Sequence, residues 1–243
     1  MTECLTIIVV QSSSITTDFW RSPTVNTIFY INMNQSNASF VDSSWKDHSV
    51  VNDWIQYNAN WIVEWCWFNN QNKKRILASF NSWESFPSQF TIMAFMKPTW
   101  NHYDSDHPIG ISIANATTKN TRWIWFTQTN SQVQFDFLKE NVSRTNLNTT
   151  PSSWNILNTR HHYVLTFDWT TMKWYIDWIQ RVSQNISWSW TWTWPVWWFV
   201  VFWRNHANYT NTINWYVDEA IAENRVWTQT EIQTYLQKVW FIS

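Results

Sequence analysis

Between Tyr163 and Val182 the chain carries short β-type runs with alternating apolar residues, separated by polar breaks. Tyr163–Phe167 and Met172–Ile176 flank Asp168-Trp169-Thr170-Thr171, and Ile179–Val182 follows Asp177-Trp178. Alternation of this kind marks half-buried strands, and the short polar breaks predict a three-stranded antiparallel meander. Thr91–Met96 and Phe199–Phe202 have the pattern of further strands. Polar loops separate these runs and helix signals are few, which predicts an all-β antiparallel sandwich. One short helix is expected near the C-terminus. Thr228-Gln229-Thr230-Glu231 has the form of a capping box, and Ile232, Tyr235 and Leu236 then supply an apolar face.

The turns of this pattern carry the wrong residue. Asp-Gly is the strongest two-residue hairpin signal, because a type I′ turn needs positive φ at both central positions. Here the breaks are Asp-Trp, and a bulky side chain at positive φ is an outlier. Composition repeats the anomaly. The 243 residues include one glycine and 24 tryptophans, where a glycine share of about 7% would give roughly 17 glycines. Seven tryptophans crowd into Ile186–Trp203, ISWSWTWTWPVWWFVVFW, mostly alternating with Ser, Thr or another Trp. With glycine in their place the stretch becomes a Ser/Thr/Gly loop running into the strand at Phe199. VDSSWKD (41–47) becomes a Ser-Gly turn, and RWIWF (122–126) gains small residues at alternate positions. The expectation is that the gene uses UGA for glycine and that UGA has been translated as tryptophan. Trp174, inside a strand, and Trp227, just before the helix, suit genuine tryptophan.

Charge and cysteine content narrow the function. Net charge is -1 and charged residues make up 14% of the chain, which favours neither nucleic acid nor an anionic membrane surface. No apolar run approaches the roughly 20 residues of a spanning helix. Cys4 and Cys66 have no metal-binding spacing; a disulfide between them stays open, with a buried thiol at Cys66 the alternative. The loop NHYDSDHP (101–108) brings Tyr103, Asp104, Asp106 and His107 together after a strand. Alternate carboxylates can hold calcium, a hard cation that takes several oxygen ligands, although the EF-hand glycine and glutamate are missing. A solvated polar loop is the other reading. His161 and His162 adjoin on one strand and so point to opposite faces, which prevents joint ligation of one ion.

Four segments, in order, resemble the laminin-G-like domain of the concanavalin A-like lectin/glucanase superfamily, in its bacterial surface-protein form. They are NASFVDSSWKDHSVV (37–51), FTIMAFMKPTW (90–100), RHHYVLTFDWTTMKWYIDWIQ (160–180) and NWYVDEAIAENRVWTQTEIQTYL (214–236). Arg160 departs from the family's usual Trp before the His pair, and Ala222-Glu223 from a more apolar strand end. The resemblance implies a two-sheet jelly roll over residues 27–243, with 1–26 as an N-terminal extension or linker. It also implies a calcium site that could draw on Asp42, Asp47 and Asp218 beside Asp104 and Asp106, although the residues themselves favour a turn-capping role for Asp42 and a structural one for Asp218. Glucanases of the superfamily carry paired carboxylates on one strand, about 5–5.5 Å apart when they retain configuration. Adjacent Asp218 and Glu219 face opposite sides and leave one acid per face before Glu223, which argues against hydrolysis. The expected function is a non-catalytic carbohydrate-binding or adhesion module, calcium-assisted, in a larger secreted or cell-surface bacterial protein. Its partner would be a glycan or a surface protein. A structural spacer and a degenerate glucanase are the alternatives.

Overall fold

The computed structural model describes residues 23–31, 42–44, 46, 49–53, 56–58, 65–67, 75–79, 87–98, 111–115, 123–129, 132–138, 145–149, 159–185, 198–202 and 215–240, with side chains described over 23–30, 42–44, 46, 87–97, 159–185 and 219–238. These residues are almost all strand, paired antiparallel throughout, with one helix. The largest sheet is built around β6 (Gln89–Pro98), β11 (His161–Asp168), β12 (Thr171–Ile176), β13 (Ile179–Asn185) and β15 (Trp215–Glu223). Its order is β13-β12-β11-β6-β15, continuing through β4 (Trp65–Trp67) to β3 (Gln56–Asn58), and β1 (Thr27–Ile31) pairs the C-terminal half of β15. A second sheet has the order β2-β5-β14-β7, from Ser49–Asp53, Arg75–Ser79, Trp198–Phe202 and Ile111–Asn115. A third joins β10 (Thr145–Thr149), β9 (Gln132–Leu138) and β8 (Trp123–Thr129).

The predicted meander is present, with Val164 opposite Tyr175 and Ile176 opposite Ile179. Alternation then sorts its residues onto two faces. Met93, Phe95, Val164, Tyr175, Ile221 and Tyr30 lie on one face, under Trp227, Ile232, Tyr235 and Leu236 from the helix α1 (Gln229–Trp240) and the segment before it. Ile92, Leu165, Phe167, Met172, Trp174 and Ile176 fall on the other face and are just as buried. A sheet covered on both sides, with a helix on only one, fits a β-sandwich. Each of these large side chains contributes about 1.5–3 kcal/mol by leaving water.

Helix α1 starts where the capping box places it. The Thr228 amide donates to Glu231 Oε2 at 2.7 Å, and the Glu231 amide returns a bond to Thr228 Oγ1 at 3.2 Å. Arg225 Nη1 also donates to Glu231 Oε1 at 2.6 Å. Thr228→Ala removes the cap and is expected to cost about 1 kcal/mol of unfolding free energy in urea titration. An unchanged value would mean that packing alone fixes the helix start.

Both hairpin turns hold positive φ where the sequence offers tryptophan. Asp177 and Trp178 form the β12–β13 turn with φ of 50° and 60°, the double positive value that a type I′ turn demands. In the β11–β12 turn only Trp169 is positive, at 79°. That is the first central position, where type II′ turns take glycine. The Trp169 indole is 48% exposed, so packing returns little for the backbone strain. Trp178 is half-buried against the helix-side core. Trp169→Gly is therefore expected to raise stability by about 1 kcal/mol, the relief of a left-handed residue less the extra chain entropy of glycine. A loss of stability in the same titration would show that the indole matters to the fold. Trp188 and Trp190 lie outside the described residues.

Candidate functional site

Strand β15 is not regular. Asp218 pairs with Phe95 and Ile221 with Met93, so Glu219 and Ala220 together face the single residue Ala94. This is a β-bulge, and Glu219 occupies it at φ 50°, a conformation that glycine adopts most easily. The extra residue turns Glu219 onto the helix side of the sheet. There it is 1% exposed, and Oε2 accepts the Tyr30 hydroxyl at 2.6 Å. Its Oε1 finds no donor. Burial pushes the carboxyl up to about 7, against the Tyr30 bond and the nearby Arg160 charge, which both favour ionisation.

Glu223, four residues on, is fully buried and held by three donors. Trp227 Nε1 donates to Oε2, Arg225 Nε approaches the same oxygen at 3.0 Å, and Thr27 Oγ1 reaches Oε1 at 3.4 Å. Thr91 Oγ1 joins this corner by accepting the Trp227 amide at 2.9 Å and donating to the Arg225 carbonyl at 2.7 Å. The polar contacts tie β1, β6, β15 and the entry to α1 together. Glu219 and Glu223 share the helix-side face, as strand residues four apart do under regular alternation. Four residues of strand still separate them by roughly 13 Å, far beyond the spacing of a retaining carboxylate pair. Both carboxyls serve the core.

The adjacent histidines take opposite faces. His161 Nδ1 lies 2.5 Å from Asp177 Oδ2, and its ring meets Tyr163 edge-on. His162 is fully buried on the helix side, stacked on Phe95 at 4.5 Å and 5.5 Å from the Tyr235 ring. The Arg160 guanidinium also sits over Phe95, 4.5 Å from the ring centre, so the residue that departs from the family pattern becomes a cation on an aromatic face.

Asp42 is buried beside β1. Its Oδ1 accepts the amides of Tyr30 and Ser44, both at 2.9 Å, and its Oδ2 accepts the Ser44 hydroxyl at 2.6 Å. This is a clamp between a turn and a strand, and it leaves the carboxylate poorly suited to a cation that needs free oxygens. Asp218 is placed on β15 by its backbone pairing with Phe95, and its side chain lies outside those described. Tyr103, Asp104, Asp106 and His107 also lie outside the described residues, as do Asp47, His102 and Cys4. Among the described residues, no three His, Cys, Asp or Glu side chains gather as a metal set. Nor is any described helix long and apolar enough to cross a membrane. The burial of these carboxyls was hidden from sequence reasoning because the β1 donors that satisfy them are distant in the chain; Tyr30 and Glu219 are 189 residues apart.

No protein-family profile matches the chain, and comparison with curated proteins finds no match. Solved structures do share its fold. The binding domain of Paraclostridial Mosquitocidal Protein 1 is similar at a TM-score of 0.66 and 15% identity, over 90% of this chain and 53% of that one. The ligand binding domain of botulinum neurotoxin serotype D, solved in complex with N-acetylneuraminic acid, is similar at 0.67 and 16%, over 88% and 51%. The binding domain of botulinum neurotoxin DC, solved with rat synaptotagmin II, is similar at 0.64 and 14%, over 88% and 52%. The chain therefore spans about half the length of these binding domains.

Proposed function

We propose that the chain is a non-catalytic carbohydrate-binding or adhesion module, a laminin-G-like jelly roll over residues 27–243 that belongs to a larger secreted or surface protein of bacterial origin. The observation that carries this reading is the shared fold with toxin binding domains, one of them bound to N-acetylneuraminic acid. The core carboxyls Glu219 and Glu223 are tied to protein donors rather than paired across a cleft, which supports a binding role over hydrolysis. Binding is assigned to the segment with Tyr103, Asp104, Asp106 and His107, because a tyrosine ring can stack on a sugar. Asp104, Asp106 and Asp218 are the residues that would hold calcium, and Asp42 is left to its clamp. A glycan array with sialylated and neutral sugars, run with calcium and with chelator, tests the assignment. Binding to at least one glycan class, lost in Tyr103→Ala or Asp104→Ala, is expected. Silence on every glycan in both conditions counts against it. A protein partner is the second reading, favoured by the fold shared with a domain solved on synaptotagmin II.

The proposal includes the identity of the tryptophans. Trp169 and Trp178 occupy positive-φ turn positions, whereas Trp174 and Trp227 are buried and the Trp227 indole donates to Glu223. We infer that the native polypeptide has glycine at the turn positions, through UGA read as glycine, and tryptophan at the core ones. Sugar-stacking sites should not be assigned to the Ile186–Trp203 tryptophans on this reading. In the gene, TGA codons at 169 and 178 with TGG at 174 and 227 are expected; TGG at all four would overturn it.

A further inference from the structure

The helix-side core contains a titratable ring that the binding reading does not use. His162 lies beneath α1, between Phe95 of β6 and Tyr235 of the helix, at 4.5 Å and 5.5 Å. Its ring is wholly buried, and neither Nδ1 nor Nε2 has a hydrogen-bond partner. A neutral imidazole tolerates this site as an aromatic plate. An imidazolium does not, because it brings two donors and a charge into a buried site where, among the described residues, neither nitrogen is bonded to an acceptor.

Among the described side chains, the charged groups near the ring are either cationic or already engaged. On its own strand's approach, Arg160 places a second cation over the same Phe95 ring. On β6, Lys97 lies two residues beyond Phe95 on the same face. At the end of β12 the Asp177 carboxylate is engaged by His161 Nδ1 and by the His162 amide, the latter at 2.9 Å. From α1 comes only the Tyr235 phenol, with Glu231 bound to the cap and to Arg225. From β15 come Glu219, whose carboxyl is uncharged in acid, and Asp218, which is in register with Phe95 and whose side chain lies outside those described.

We propose that His162 is an acid-sensitive latch: its neutral ring is the floor on which α1 packs, and protonation lifts α1 from a sheet that stays paired. Burial holds the imidazole down to about 3, with Asp177 opposing and Arg160 adding to the effect. A state in which α1 has lifted and the ring meets water regains the usual value near 6.5. The folded pKa is depressed, so lifting is favoured progressively as pH falls from about 6.5 towards 3. At pH 4.5, two units below the solvated value, the lifted state gains about a hundredfold in population relative to neutral pH. Such a device is independent of whether the chain binds sugars.

Hydrogen exchange read by mass spectrometry on the full chain tests this, with rates corrected for intrinsic pH dependence. Helix amides of 229–240 are expected to lose protection by one to two orders of magnitude between pH 7 and 4.5, while those of 161–168 keep theirs. His162→Phe, which retains the stack and removes the proton site, is expected to abolish the helix-specific loss. If this variant and the wild type lose protection equally, the proposal is overturned. Simultaneous loss in helix and sheet also overturns it, since that is global acid unfolding. Should His162→Phe fail to fold, the imidazole can be titrated by NMR in the wild type. A ring that takes a proton near pH 6.5 with the helix still protected would equally sink the latch.

Discussion

Trp227→Gly will cost the fold about 4 kcal/mol or more in urea or thermal unfolding, although Trp169→Gly will stabilise it. The indole of Trp227 is 5% exposed and meets the Tyr235 ring edge-on at 5.5 Å. The Arg225 guanidinium lies 5.1 Å from its ring centre. Removing a buried Trp side chain typically costs about 3–5 kcal/mol through lost burial and the cavity left behind. Here the change also strips Glu223 of its indole donor. A fully buried carboxylate that loses a partner adds about 1–3 kcal/mol unless water enters. Trp227→Phe helps to separate the contributions, since it keeps an aromatic ring and most of the volume while losing the N–H and the smaller ring. A loss near 2 kcal/mol is expected for Phe and the full loss for Gly. Near-neutral outcomes at 227 would mean that the Glu223 corner does not anchor the helix. The opposite signs at 227 and 169 follow from local physics, one indole being bonded in the core and the other perched in solvent on a strained turn.

Glu219→Gln will flatten the stability profile of the protein between pH 4.5 and 8. The buried carboxyl is raised to about 7 from an ordinary value of 4.5, so the folded state holds its proton more tightly than the unfolded chain. The stability this provides is complete below about pH 4.5 and is lost as pH rises through 7. The difference amounts to on the order of 3 kcal/mol. Glutamine keeps an acceptor for Tyr30 and cannot ionise. Relative to the wild type, it should therefore gain stability steadily from pH 4.5 to 8. His162 contributes with the opposite sign at lower pH, because its folded value is depressed to about 3, and comparing each variant with the wild type at matched pH isolates one group. Parallel profiles for Glu219→Gln and wild type would show that the carboxyl ionises without penalty.

Much of this architecture was legible in the residues, and its limits have physical causes. The meander over 161–185 follows from short apolar-rich β-type runs set between two-residue turns. The helix start at Thr228 follows from one capping box. Both signals are local, and so are the constraints that enforce them. The bulge between Asp218 and Ile221 is different. Adjacent Asp and Glu on a strand predict one acid on each face, and only the long-range register against β6 shows that a residue has been inserted. The partners that β1 supplies to the buried acids, Thr27 and Tyr30, lie at separations that no sequence window spans. Asp42 shows the reverse. A carboxylate that could belong to a cation site by resemblance is engaged by donors from its own turn and from Tyr30. Tyr103, Asp104, Asp106 and His107 are candidates from the sequence and lie outside the described residues.

The meaning of the tryptophans governs every other assignment, because an exposed indole is a sugar platform only if the native chain contains it. One peptide decides the matter. Cleavage after Lys173 and Arg181 of the protein purified from its own source releases residues 174–181, which contain Trp174 in a buried strand position and Trp178 at φ 60° in a turn. Sequencing it by tandem mass spectrometry is predicted to give tryptophan at 174 and glycine at 178. Tryptophan at both positions would contradict the account.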